Sequence, residues 1–379
     1  MRVTVKPEML HWACERAGFG TEEMAERIPQ LLAWERGEAQ PTLKQIEGFA
    51  KATHTPVGYL FLDSPPIERV PIPDFRTMAG GHVESPSPDL LDSIYLCQQR
   101  QEWYREFART AGEMPLPFVG SVSLTSDVVI TAAGIRHALG FDLEERRQMS
   151  TWAEALRRFI EQADELGVLV MVNGVVGSNN RRKLDPEEFR GFALSDNLAP
   201  LVFINGSDTK SAQMFTLAHE LAHIWIGQTA LSDVEMTSSP SHKIEIWCNQ
   251  VAAEVLVPLA VLSEEFHEDS DLQEEARRLA RRFKVSTLVI LRRMRDAGVM
   301  TQAQFWQAYK AELEVLRSIP KGSGGNFYLT QAARVSKRFA RALVANTLEG
   351  QTLHRDAFRL LGFSKFATFK ELGHSLGVA

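Results

Sequence analysis

Apolar positions recur along this chain with two periods, and the change between them divides it into segments. Residues 1–66 show short stretches of helical spacing. Leu43, Ile46, Phe49 and Ala50 follow Thr42-Leu43-Lys44-Gln45, whose hydroxyl-x-x-Gln pattern predicts a capping box. Thr21 ahead of Glu22 and Glu23 predicts another helix start, with a capping hydroxyl and acids in the first turn. Residues 63–90 hold six prolines (Pro65, Pro66, Pro71, Pro73, Pro86, Pro88), the composition of a linker or an extended strap. Helical spacing returns over residues 90–111 and 151–166. Three short runs rich in β-branched residues follow at 167–172, 189–194 and 201–205, beside the turn signals Asn173-Gly174 and Asn205-Gly206. They predict a small sheet, with 201–205 as either an edge strand that could align a peptide or a plain buried strand. Helices are expected at 211–226 and at 241–257, the second stopped by Pro258. Residues 271–318 and 326–379 are helical in pattern, separated by the flexible Lys321-Gly322-Ser323-Gly324-Gly325.

The expected class is α+β and mostly helical. At 379 residues the chain has room for two or three domains. Its segments read as an N-terminal helical domain (1–66), a Pro-rich linker (67–90), a core containing the sheet (91–270), a basic helical extension (271–320) and a C-terminal helical unit (321–379). No apolar run approaches the roughly 18 residues of a membrane span, and the N-terminus lacks the apolar stretch of a secretory signal. Cys14, Cys97 and Cys248 are odd in number and far apart, which suits a reducing cytoplasm and no disulfide framework. The net charge of −6 hides an asymmetry: residues 271–379 carry 19 Lys+Arg against 9 Asp+Glu, or +10, leaving −16 on the rest. A basic third on an acidic body points to an anionic partner, nucleic acid included, or to docking between the two parts.

His219-Glu220-Leu221-Ala222-His223 fits H-E-x-x-H. On a helix, positions i and i+4 share a face, so both imidazoles reach one metal ion while Glu220 stands beside them as a proton acceptor. Met214, Leu217, Leu221 and Trp225 keep helical spacing around the motif, and Gly227 closes the helix. A catalytic zinc takes a third protein ligand and keeps one position open. The downstream candidates are Asp233, Glu235, His242, Glu245 and Glu254. Spacing favours Glu245, which shares a helix face with Asn249, so that a ligand and a hydrogen-bonding partner can stand together.

The stretch from Phe215 through His223, followed by Glu245-Ile246-Trp247-Cys248-Asn249 and by Ala252-Ala253-Glu254-Val255-Leu256-Val257-Pro258, resembles the ImmA/IrrE metallo-endopeptidases over roughly residues 150–300. The resemblance implies a zincin-like core, His219, His223 and Glu245 as zinc ligands, and cleavage of a helix-turn-helix repressor, antitoxin or similar regulatory protein. The mechanism it implies is attack of a metal-bound water on a peptide bond, with Glu220 as the base. The ligand set also suits Mn2+ or Fe2+. In one departure, Gln213-Met214 stand where the family often has a basic residue.

Residues 15–62 resemble an XRE-type helix-turn-helix, carried by Ala33-Trp34-Glu35-Arg36-Gly37-Glu38 and Pro41-Thr42. Here Ile28 runs straight into Pro29-Gln30-Leu31-Leu32-Ala33, so the turn is short and the would-be reading helix starts apolar. With 7 Lys+Arg against 9 Asp+Glu over residues 1–66, phosphate contacts would be few. The alternatives are DNA reading and a dimerisation or substrate-mimicking role. Residues 277–295 are also helix-turn-helix-like, with eight basic residues and no acid, and Phe327, Tyr328, Arg334, Lys337, Arg338 and Arg341 add a weak single-strand-binding pattern. The leading expectation is a zinc endopeptidase acting on a regulatory protein. The second is a DNA-binding regulator or antitoxin whose peptidase core is latent.

Overall fold

The fold is that of a computed structural model, which describes residues 1–75, 86–232, 243–318 and 334–378. It is mostly helical with a small mixed sheet, the α+β class expected. The chain forms two compact units. One comprises Met1–Pro71 and Glu84–Ile94, the other Ile72–Val83 and Tyr95–Ala379.

The first unit contains α1 (Pro7–Arg16), α2 (Thr21–Arg27), α3 (Leu31–Glu35), α4 (Leu43–Ala52) and a 3-10 turn at Val57–Phe61. Its core is Leu10, Cys14, Met24, Leu31, Trp34, Ile46, Phe49 and Leu60. The capping box forms: Gln45 N–H donates to Thr42 Oγ1, and Thr42 N–H donates to the Gln45 side chain at 2.8 Å. Thr21 does not cap. The N-cap of α2 is Gly20, and Thr21 Oγ1 instead lies 3.1 Å from His11 Nδ1. A hydroxyl followed by acids marks the start of a helix without saying which residue lies outside the first turn. The third helix has only five residues and buries Leu31 and Trp34.

In the second unit, β1 (Leu169–Asn173), β4 (Gly191–Leu194), β5 (Leu201–Asn205) and β6 (Ala230–Ser232) form one sheet in the order β1-β5-β4-β6. β1 and β5 run parallel, while β4 is antiparallel to both its neighbours. A separate hairpin pairs β2 (Val175–Val176) with β3 (Asn179–Lys183). Residues 201–205 are therefore an interior strand, buried throughout and paired on both sides, not an edge. An all-apolar run of this kind is what burial on both faces demands. The two edge strands are β1 and β6, and the Pro-rich segment adds to β6, because Asp74 bridges to Leu231.

Helices α8 (Trp152–Leu166), α9 (Lys210–Ile226) and α10 (Lys243–Leu256) build the core against this sheet. α9 packs on β4, β5, α8 and α10, and α10 packs on α6 (Val128–Leu139). Thr209 caps the start of α9 by accepting from Ala212 N–H, and Gly227 ends it in the left-handed region. Gln213, the departure noted above, is fully buried, and its amide donates to Gly206 O and Asp208 O, tying down the turn into α9.

After α10 come α11 (Leu259–Glu265), α12 (Leu272–Phe283), α13 (Thr287–Asp296) and α14 (Gln302–Ser318). Much of their basic charge faces internal acids. Arg282 meets Glu265 and Glu144, Arg278 meets Glu275, and Arg293 pairs with Glu254. The final helices are α15 (Lys337–Leu348), α16 (His354–Leu361) and α17 (Phe366–Leu376). They dock through the buried Asp164, whose carboxylate accepts from Ser336 Oγ at 2.7 Å and Arg338 N–H at 2.9 Å. The predicted break at 321–325, with Phe327 and Tyr328, lies outside the described residues. Among the described residues no single helix is long and apolar enough to cross a membrane.

Candidate metal centre

The H-E-x-x-H motif lies in the C-terminal half of α9, within a stretch from Gln213 to Trp225 that is buried throughout. Glu245 lies in the first turn of α10 and faces the motif. Its Oε2 is 3.2 Å from His219 Nε2 and its Oε1 is 3.0 Å from His223 Nε2, and the two Nε2 atoms are 3.1 Å apart. Among the described residues, His219, His223 and Glu245 form a group that could hold a metal ion. Of the other candidates, Glu254 lies away from the cluster in its buried pair with Arg293. Asp233, Glu235 and His242 lie outside the described residues.

The donor chemistry fits a cation. Asn249 sits one turn beyond Glu245, and its Oδ1, an acceptor only, lies 3.0 Å from His219 Nδ1. That places the proton on Nδ1 and leaves a lone pair on Nε2, aimed at Glu245 and His223. Glu245 Oε1 has no hydrogen bond despite its closeness to His223, so two imidazole nitrogens and a carboxylate converge without enough protons between them. A divalent ion resolves such a convergence, and the buried amide partner is the arrangement that orients a histidine ligand.

Glu220 is fully buried, and neither of its oxygens has a hydrogen-bond partner among the described residues. Burial, then the charge of Glu245, push its carboxyl well above the usual carboxylate range, with the nearby Ser232 side chain acting weakly the other way. Burial also raises Glu245, but His219 and His223 outweigh it and hold that carboxyl below its ordinary value. Burial lowers His223, partly offset by the Glu245 carboxylate beside it. Two adjacent carboxylates are thus driven apart in proton affinity, as an acid–base group and a ligand require. Cys248, next to this group, is buried in the core, and burial, then the charges of Glu245 and Glu220, push its thiol up.

Three residues at the site carry no sequence signal. Ser232 on β6 puts its Oγ 3.3 Å from His223 Nε2. The Phe75 ring stacks on the His223 ring, with centroids 6.5 Å apart and planes within 9°. Gly191 on β4 lies against the motif, where an added Cβ would meet Thr216 Cγ2 at 2.5 Å and Glu220 Oε1 at 3.3 Å. A serine, a phenylalanine and a glycine are too common to flag without knowing which strands adjoin.

Residues 335–375 match a domain of unknown function. No curated protein and no solved structure matches the chain. Residues 163–295 match a peptidase family model described as the IrrE N-terminal-like domain. That match runs from the end of α8 to α13, takes in all three donors, and supports a metallopeptidase of the ImmA/IrrE type, a family that implies a bound metal.

Proposed function

We propose that the chain is a zinc-dependent endopeptidase in which His219, His223 and Glu245 hold the ion and Glu220 handles the proton. The observation that carries this reading is the buried convergence of two imidazole Nε2 atoms and a carboxylate beside a second carboxylate that has no hydrogen-bond partner among the described residues. Zinc bound there would polarise the scissile carbonyl and acidify water. The protein's own part is threefold. Asn249 fixes the tautomer of His219. The surrounding core excludes bulk water. Glu220, with its raised proton affinity, accepts a proton on its carboxylate and returns it to the leaving amine.

The substrate in this reading is a helix-turn-helix repressor, antitoxin or similar regulator, on the strength of the family likeness, and the setting is the cytoplasm, in keeping with three free buried thiols. Residues 1–66 serve as an XRE-like module that dimerises or mimics substrate. The short, apolar α3 supports that role over DNA reading. The pairing of Arg278, Arg282 and Arg293 with internal acids favours packing over nucleic-acid contact in the basic extension.

The test incubates helix-turn-helix proteins encoded near this gene with wild type and with Glu220→Gln, with metal content measured on both. Cleavage by wild type alone at equal metal loading is expected. Intact substrates with both proteins, metal still bound, would favour a DNA-binding regulator with a latent core.

A further inference from the structure

The cations of the basic third fall into two sets. Arg278, Arg282, Arg293, Lys337 and Arg338 face acids. Arg359, Lys365 and Lys370, in α16 and α17 and the turn between them, do not. All three are exposed, and none makes an ion pair among the described residues. Residues 334–378 carry 8 Lys+Arg against 3 Asp+Glu, or +5. The β2–β3 hairpin extends this surface. In β3, Asn179, Asn180, Arg181 and Lys183 are exposed, and the strand holds no acid. Arg181 and Lys183 also lack an ion pair among the described residues. The hairpin turn meets the turn between α16 and α17, since a Cβ built on Gly362 would lie 2.8 Å from Ser178 Oγ. Arg181 and Lys365 each stand three residues from that contact, no more than about 11 Å along their own segments. Aromatic rings gather at the same place. His354, Phe358, Phe363, Phe366 and Phe369 form one cluster, with neighbouring centroids 5.5 to 6.2 Å apart. Phe369 is buried and anchors the cluster, whereas Phe366 is 52% exposed and His354 is exposed. A cation adjoins each exposed ring: Arg355 follows His354, and Lys365 precedes Phe366.

We propose that this face, made by the β2–β3 hairpin and the last two helices, binds single-stranded nucleic acid. Phosphates meet Arg181, Lys183, Arg359 and Lys365, and bases stack on Phe366 and His354. Free cations supply charge complementarity to a polyphosphate, and exposed rings beside them suit bases that have left a duplex. A duplex keeps its base faces in its own stack and would gain the charge contacts alone. The exposed side chains of β3 are all polar, so the hairpin has nothing to insert into a lipid layer. Such a face would serve the chain whether or not the metal centre cleaves peptides.

The test follows the fluorescence anisotropy of a labelled oligothymidylate of about 15 nucleotides, within the range of single-strand site sizes, on titration with the full chain at several salt concentrations. Saturable binding is expected, tighter than to a duplex of the same length. With four phosphates neutralised, log K should fall against log salt with a slope of about −3. Phe366→Ala, a change at an exposed position, should weaken binding roughly 10-fold through the loss of one stacked base and leave the slope unchanged. Arg181→Gln with Lys365→Gln should reduce the slope by about 1.4. Heparin, a polyanion without bases, should bind wild type and Phe366→Ala alike. An oligouridylate of the same length tells RNA from DNA, and a preference for either supports the proposal. No saturable binding, or wild-type affinity in both variants, would overturn it. So would binding lost instead in Lys44→Gln with Lys51→Gln, which would put the nucleic acid on α4 of the first unit. Phosphatidylserine vesicles that bind through Phe366 while the oligonucleotides do not bind would assign the face to a membrane, and overturn it too.

Discussion

Replacing Gly191 by alanine tests whether the wall behind Glu220 is as tight as its geometry indicates. Gly191 is not in the left-handed region, so alanine meets no backbone strain there. The cost is purely steric. The new Cβ would lie 2.5 Å from Thr216 Cγ2, 2.8 Å from Phe203 O and 3.3 Å from Glu220 Oε1. The Thr216 methyl can turn away, but the Phe203 carbonyl belongs to an interior strand paired on both sides and has nowhere to go. β4 must therefore move outward or α9 must shift. Forcing one extra carbon into such a wall costs about 1–3 kcal/mol. At roughly 2–4 °C per kcal/mol for a domain of 150–250 residues, the melting temperature should fall by several degrees. Activity should suffer more than stability, because the displaced wall touches the proton acceptor, and a misplacement of about 1 Å can cost on the order of 100-fold in rate. The three candidate donors come from α9 and α10, so metal content should stay at the wild-type level. Thermal melts, metal analysis and turnover on a cleaved regulator separate the three effects. Wild-type melting and wild-type turnover together would refute the reasoning, since the stated contacts leave no room for both.

Three further outcomes follow from the same packing. Asn249→Ala removes the acceptor for His219 Nδ1, and the loss of such a partner typically lowers metal affinity by about 10–100-fold, which competition with a chelator will measure. Arg293→Met strands the buried Glu254 and should cost about 3–5 kcal/mol in denaturant unfolding, while Arg293→Met with Glu254→Gln should recover most of it. Glu275 is held below the usual carboxylate range first by its hydrogen bond from Arg278, so its contribution is present above the unfolded value of about 4.3 and is lost as pH falls towards the lower folded value. Acid unfolding curves of wild type and Arg278→Gln should therefore differ at neutral pH and converge in acid, and a constant offset at every pH would contradict this.

The helices were legible because their signals are local. Thr42 with Gln45 and Gly227 after α9 each act within four residues, and the spacing of Leu217, Leu221 and Trp225 reports a buried face directly. The juxtaposition of His219, His223 and Glu245, with Asn249 beside His219, was legible for the same reason, since i, i+4 spacing on two helices makes two half-sites. Strand neighbours are different. An all-apolar run such as 201–205 says that both faces are buried but not which strand lies on either side. Its interior place, the edge position of β6 and the pairing of Asp74 with Leu231 depend on contacts far apart in the chain. The prolines at 71 and 73 did indicate an extended segment, because proline and the residue before it avoid helix. They carried no information about where that segment would lie.

This division has a chemical consequence at the site. The motif supplies two of the three candidate donors, but the raised proton affinity of Glu220 is made elsewhere. It comes first from burial, with Gly191 close against the carboxyl, and then from the charge of Glu245 on a separate helix. A chance H-E-x-x-H on an exposed helix would hold the same motif and leave its glutamate in water, with ordinary proton affinity. What separates the two cases is the closeness of β4 to α9, which only a residue without a side chain at position 191 allows. The glycine, as much as the histidines, is therefore what makes this helix a candidate for proton-transfer chemistry, and the effect of filling that space should be seen in turnover before it is seen in metal binding.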